Sequence, residues 1–193
     1  MTGDGLRGQS RMAEVAKIVA MCVVASIAYG VVHDQFTARA YLPYFTEWPP
    51  HASMMPLNST NPTIVGFAWG FAATWWVGLI LGIPLALVST SGPDNWWNWR
   101  RLAVYLAALL VCVGGLAALG YLMSIANHLQ VDPAVPGPAV PPGDTASLEA
   151  FTAVLVAHNI SYIGGAAAGV VMIWFIFRIR KKIDTEPCPE SSP

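Results

Sequence analysis

The chain has 193 residues, of which 55 % are hydrophobic and only 11 % are charged. Soluble domains carry about 25 % charged residues, so this composition excludes an ordinary soluble domain and indicates a chain whose solvent is a lipid bilayer. The formal net charge of −1 gives no sign of a nucleic-acid partner. The three cysteines form no C-x-x-C motif and none lies in a segment predicted outside, which excludes a disulfide framework.

Four apolar runs are each long enough to cross the hydrocarbon of a bilayer, which requires about 20 residues. They cover residues 15–32, 64–88, 102–126 and 151–177, and Lys17 is their only charged residue. The runs are continuous rather than alternating, so they predict helices and not the strands of a barrel. The predicted fold class is therefore all-α, a bundle of four transmembrane helices.

Capping and helix-ending residues agree with these spans. Asn61 followed by Pro62 suits an N-cap and a first helical position before the second span. The sequence Ser91-Gly92-Pro93 is typical of the end of that span. Asp144 or Ser147 can cap the fourth span.

The distribution of lysine and arginine predicts that both termini are cytoplasmic. Nine of the ten basic residues flank the N-terminus, the loop after the second span or the C-terminus, and only Arg39 lies in a loop on the other side. The nine are Arg7, Arg11, Lys17, Arg100, Arg101, Arg178, Arg180, Lys181 and Lys182. The alternative is a signal peptide cleaved after Ala28, which would leave three spans.

The segments outside the bilayer are too short to fold alone, because chains below about 40 residues rarely form a core. Residues 1–183 are therefore predicted to form a single transmembrane domain. Residues 184–193, which are rich in Pro, Ser and Glu, are predicted to be a disordered cytoplasmic tail. Whether the loop of residues 33–63 folds back onto the bundle stays open.

Small residues recur every four positions in two of the spans, which predicts close helix packing. The pattern does not show whether these residues contact another helix of the same chain, a second copy of the chain or a larger membrane complex. The residues are Gly66, Gly70, Thr74, Gly78 and Gly82 in the second span, and Gly165 and Gly169 in the fourth.

A polar segment follows the first span, and we expect its histidine and carboxylate to point inward. His33 and Asp34 stand three and four positions after Gly30, so a continuing helix places both near its small face. One interpretation is a metal or proton-handling site built from these two residues with Glu47, His51 or His128. The other is an interfacial polar cap in which Asp34 pairs with Arg39, beside Gln35 and Tyr44.

His158 lies inside the fourth span, where polar residues usually face the bundle interior. Asn159 and Tyr162 accompany it. A haem or metal ion bound through His33 and His158 is one interpretation, and simple hydrogen bonding between helices, for example to Thr74, is the other. All four histidines fall on the predicted outer side of the protein.

Several segments of the first two spans resemble a known group of proteins. Residues 29–39 read YGVVHDQFTAR, residues 44–46 read YFT, and the second span contains GFAWG at 66–70 and TWWVG at 74–78. In these segments the chain resembles uncharacterised bacterial four-span membrane proteins with an HDQ-T-R…YFT segment after the first helix. The resemblance implies a bacterial inner-membrane location and no particular reaction.

The sequence predicts a small membrane protein without a recognisable catalytic motif. The first interpretation is an accessory, assembly or scaffold subunit that acts through helix–helix contacts with itself or a larger complex. The alternatives are a haem- or metal-binding redox subunit that uses the outer-side histidines, and a small transporter or channel.

Overall fold

The computed structural model describes residues 3–54, 57–92, 96–131 and 143–185, and every element in these ranges is helical. The long helices are α1 (Gly3–Ala40), α4 (Pro62–Ser89), α5 (Trp99–Ala126) and α6 (Thr145–Thr185), and the short helices α2 (Pro43–Thr46) and α3 (Pro49–Ala52) lie between α1 and α4. All four long helices are apolar and long enough to cross a membrane. The predicted all-α bundle of four transmembrane helices is confirmed.

The N-cap residues predicted for α4 and α6 make the expected hydrogen bonds to backbone N–H groups. The Asn61 side chain accepts a hydrogen bond from the backbone N–H of Thr63 at 2.9 Å, and Pro62 is the first residue of α4. Asp144 rather than Ser147 caps α6, because its carboxylate accepts the N–H of Ser147 at 3.1 Å.

The first and last helices extend beyond the spans predicted for them. Helix α1 continues eight residues past position 32, so the polar segment after the first span is helical and Asp34 lies inside a candidate span. Lys17 is therefore not the only charged residue within the spans. Helix α6 continues to Thr185, two residues into the predicted tail, and residues 186–193 lie outside the described part of the chain.

The helices form a ring in which α1 packs most extensively on α4, and α5 on α6. Smaller contacts between α4 and α6 and between α1 and α5 close the ring. This arrangement places α1 and α6 on one diagonal of the bundle.

The glycine stripe of α4 lies in the contact with α1, which answers a question that the sequence left open. A Cβ atom added to Gly70 would lie 2.5 Å from the backbone of Val31, and one added to Gly78 would lie 2.6 Å from Val23. Gly66 approaches the α1 backbone at Asp34 in the same way, and Gly82 packs against the side chain of Cys22. The stripe therefore serves packing within the chain.

Two apolar clusters fill the ends of the bundle. Ile18, Trp97 and Ile176 belong to the cluster near the chain termini. Tyr44, Phe45 and Phe151 belong to the cluster at the opposite end, which we call the α2–α3 end because residues 41–54 cover it. The loop after α1 thus folds back onto the bundle, since Tyr44 and Phe45 are both buried.

We predict that Gly70→Leu destabilises the protein, because the new side chain would meet the backbone of α1, which cannot move aside. The expected loss is about 1–3 kcal/mol or more, as for other overpacked cores. Gly115→Leu is the matched control, because Gly115 is exposed and a Cβ there meets no atom within 4 Å. Thermal unfolding in mild detergent, followed by circular dichroism, measures both. Dissociation of an oligomer by Gly70→Leu with unchanged unfolding would contradict an internal contact.

A histidine and carboxylate cluster inside the bundle

The centre of the candidate site is a buried pair that joins α1 to α6. His158 Nε2 lies 3.2 Å from Asp34 Oδ1, and the two side chains are 4 % and 7 % exposed. His158 Nδ1 lies 2.9 Å from the carbonyl oxygen of Val154, one turn earlier in α6. The pair spans the diagonal of the bundle, between helices whose backbones come close at few positions.

The hydrogen-bond pattern determines how many protons this pair holds. A carbonyl oxygen only accepts, so His158 Nδ1 must carry a hydrogen and donate it to Val154. The contact with Asp34 then contains one shared proton, carried either by the imidazole or by the carboxyl group. Both arrangements leave the pair with no net charge, which lowers the cost of burying it in a bilayer.

His33 is the third member of the cluster and is less completely bonded. Its Nδ1 lies 3.4 Å from Ser161 Oγ, which in turn lies 2.8 Å from the hydroxyl of Tyr29. The ring meets that of His158 edge-on, with centroids 4.7 Å apart. The other nitrogen, His33 Nε2, is buried and has no hydrogen-bond partner among the described residues.

The three side chains present donor atoms of the types that bind transition metals. One ligand atom from each of His33, Asp34 and His158 lies within 4.8 Å of the others. Two imidazoles and one carboxylate are a common ligand set for Zn²⁺ and for non-haem iron. Bound ligands would be closer, because metal–nitrogen bonds are about 2.0–2.1 Å, so a small inward movement of the side chains would complete the site.

The short helix α2 covers the cluster at the α2–α3 end. The Tyr44 ring lies 4.6 Å from the His158 ring and the Phe45 ring 5.5 Å from it, measured between centroids. His51 Nδ1 lies 2.9 Å from the backbone oxygen of Tyr44, and its ring contacts Trp69. His51 therefore supports the cover rather than joining the cluster.

A cavity of about 520 Å³ extends from the cluster into the middle of the bundle. It lies between the α1–α4 pair and the α5–α6 pair, and aliphatic side chains such as Leu81, Leu110 and Val113 form most of its wall. Gly165 borders the cavity, and a Cβ added to it would meet no atom within 4 Å. This glycine thus leaves space, whereas Gly169 packs against Leu81.

Besides His51, two further predicted metal ligands lie outside the cluster. Glu47 is exposed on the surface of the α2–α3 end. His128 is also exposed, and its Nδ1 pairs with Glu149 at 3.3 Å. Residue type suggested Glu47 and the predicted outer side suggested His128, but both lie just beyond the end of a helix in exposed positions.

Arg39 does form a polar contact network, but not with Asp34, the partner that the sequence suggested. The Arg39 guanidinium donates to the Gln35 side chain at 2.6 Å and to Thr63 Oγ1 at 2.7 Å, not to Asp34. Five positions along a helix turn a side chain by about 140°, which places Arg39 and Asp34 on different faces.

The fourth-span partners also differ from those expected. Thr74 donates to the Gly70 carbonyl oxygen of its own helix at 2.5 Å, and the two ring nitrogens of His158 bond to Val154 and Asp34 instead. Asn159 is exposed, and Tyr162 lines the cavity with its ring 6.1 Å from that of His158.

The sequence analysis did not single out Tyr29, and it named Tyr44 as part of the polar segment without predicting that Tyr44 and Phe45 cover the cluster. Tyr29 precedes His33 by one helical turn, so the i, i+4 spacing was the available signal. The cover depends on the path of the loop, for which the sequence has no signal. No protein-family model, no curated protein and no solved structure matches the chain.

We predict that acid destabilises the α2–α3 end through His51. Burial lowers the pKa of His51 below its ordinary value of 6.5. As the pH falls below 6.5, His51 therefore takes up a proton in the unfolded chain but not in the folded protein. The free energy of unfolding should fall as the pH drops from 7 to 5. Thermal unfolding across this range should show a steeper decrease for the wild type than for His51→Gln. Equal slopes would contradict a neutral, half-buried His51.

Proposed function

We propose that this multi-pass membrane protein binds a transition-metal ion of the Zn²⁺ class through His33, Asp34 and His158. The observation that carries the proposal is the orientation of the two histidines. His158 uses Nδ1 for Val154 and directs Nε2 at Asp34, while His33 has Nδ1 beside Ser161 and keeps a buried Nε2 with no hydrogen-bond partner among the described residues. Metal-binding histidines almost always donate their second N–H to a carbonyl, carboxylate or water in this manner.

Simple hydrogen bonding between helices accounts for less of the geometry. It explains the Asp34–His158 contact, but the neighbouring His33 then keeps a buried Nε2 that no described residue bonds. Buried polar atoms are nearly always bonded, so an exception inside a ligand set needs an explanation. An ion that replaces the shared proton would bond His33, Asp34 and His158 together.

The geometry favours a small ion over a haem. Axial haem ligands in a bundle face each other from opposite sides of the porphyrin plane. The rings of His33 and His158 meet edge-on at 4.7 Å, and the Nε2 of His158 is directed at Asp34. No space for a porphyrin plane lies between them.

The accessory, assembly or scaffold function remains a separate proposal with less support than before. Its main argument was the glycine stripe of the second span, which packs on α1 within the chain. A transporter or channel is also less favoured, because the cavity wall is aliphatic away from the cluster.

We propose further that the protein lies in a bacterial inner membrane with both termini in the cytoplasm. The nine flanking basic residues support this orientation, and the HDQ-T-R…YFT resemblance supports the bacterial location. The cluster would then lie in the half of the bilayer away from the cytoplasm.

The test is zinc binding by the purified protein in mild detergent, quantified by elemental analysis after removal of free metal. We expect one zinc per chain and an affinity that falls at least about 100-fold in His158→Ala and Asp34→Asn, because loss of an outer-shell partner alone costs about 10–100-fold. His128→Ala is the control, since it removes an exposed histidine outside the cluster.

Folding of each variant is checked by its helical circular dichroism and its elution in detergent. Equal zinc content in the wild type and a folded His158→Ala variant would overturn the proposal. Loss of zinc in His128→Ala alone would move the site to the surface.

A further inference from the structure

The cavity beneath the cluster has the shape of a site for a hydrocarbon chain. Its lining runs along α6 from His158 to Ile173, which corresponds to roughly 20 Å of helix. The volume of about 520 Å³ falls within the range of ligand pockets, about 300–1,000 Å³. The strongest polar groups, the members of the cluster, lie at one end.

The cavity is accessible from the side of the bundle that faces lipid. Among the residues that line it, Trp76 and Ile80 on α4 are 46 % and 61 % exposed, and Tyr162 on α6 is 48 % exposed. Helices α4 and α6 are neighbours in the ring. The entrance therefore lies between these two helices, within the transmembrane segments.

The charge at the polar end indicates which head group would bind there. A divalent ion held by two neutral imidazoles and the Asp34 carboxylate keeps one positive charge. An unpaired charge is costly in a bilayer, and a second carboxylate would neutralise it. Such a site also keeps a fourth position for an outside ligand, because the part of the chain that the structure describes supplies three.

We propose that the cavity binds one long-chain fatty acid, which enters between α4 and α6 and whose carboxylate ligates the ion at His33, Asp34 and His158. The proposal rests on the metal site proposed above. The cavity would hold the acyl chain, and the cluster would select a carboxylate over a neutral head group.

The probe is palmitic acid with a photoreactive diazirine on its chain, applied to the zinc-loaded full-length protein in detergent. Its methyl ester is the control probe, because it retains the chain and removes the negative charge. Mapping of the labelled peptides shows where the chain lies. We expect labels on cavity residues such as Leu81, Leu110 or Met172, with the acid labelling at least about tenfold more strongly than the ester.

The matched variants are Gly165→Leu, which fills the cavity, and Gly115→Leu, which makes the same change on an exposed face. We expect Gly165→Leu to reduce labelling about tenfold or more while the protein still binds zinc, and Gly115→Leu to label like the wild type. Removal of zinc by a chelator should abolish the preference for the acid.

Two results would overturn the inference while the metal site stands. One is zinc-loaded protein in which Gly165→Leu and Gly115→Leu label equally, and the other is equal labelling by acid and ester. Failure of the wild type to bind zinc would reject the metal site itself. A preference for the acid that persists after chelation would reject the carboxylate–ion bond.

Discussion

The buried contact between Asp34 and His158 is the constraint on which the architecture of the site depends. It joins α1 and α6 across the diagonal of the bundle and thereby closes one end of the central cavity. The small stabilisation that this contact provides does not explain why a charged pair is buried here. Hydrogen bonds between transmembrane helices contribute about 0.6 kcal/mol on average, whereas removing one partner of a buried charged pair costs about 3–5 kcal/mol. Apolar side chains would join the helices without the cost of an unpaired buried charge, which favours a chemical role for Asp34 and His158.

The cavity exists because the helices pack closely in pairs and less closely between pairs. The α4 glycines bring α1 and α4 into backbone contact, and the apolar clusters fill both ends of the bundle. In the middle, Gly165 leaves space that no neighbouring side chain fills. Glycine thus allows close helix packing at Gly70 but leaves a cavity at Gly165. The difference depends on how closely the facing helix approaches.

The sequence was sufficient to predict the four helices, the Asn61 cap of α4 and, as one of two candidates, the Asp144 cap of α6, because apolar length and capping chemistry are local. It also placed Asp34 on the same face as Gly30, since helical periodicity continued through the polar segment. It did not predict that Asp34 would bind His158, because periodicity identifies a face and not the helix that the face meets. For the same reason the α4 stripe was predicted without its partner. Glu47 was chosen by residue type and His128 for its position on the predicted outer side, and both are exposed.

The most direct test of the metal site is X-ray absorption spectroscopy of the zinc-loaded protein. We predict a first shell of nitrogen and oxygen at about 2.0–2.1 Å, with the outer-shell scattering of two imidazole rings. The spectrum of His33→Ala should show the scattering of only one imidazole ring, whereas that of His128→Ala should still show two. A shell of oxygen atoms without imidazole scattering would mean that zinc binds elsewhere, and it would contradict the account.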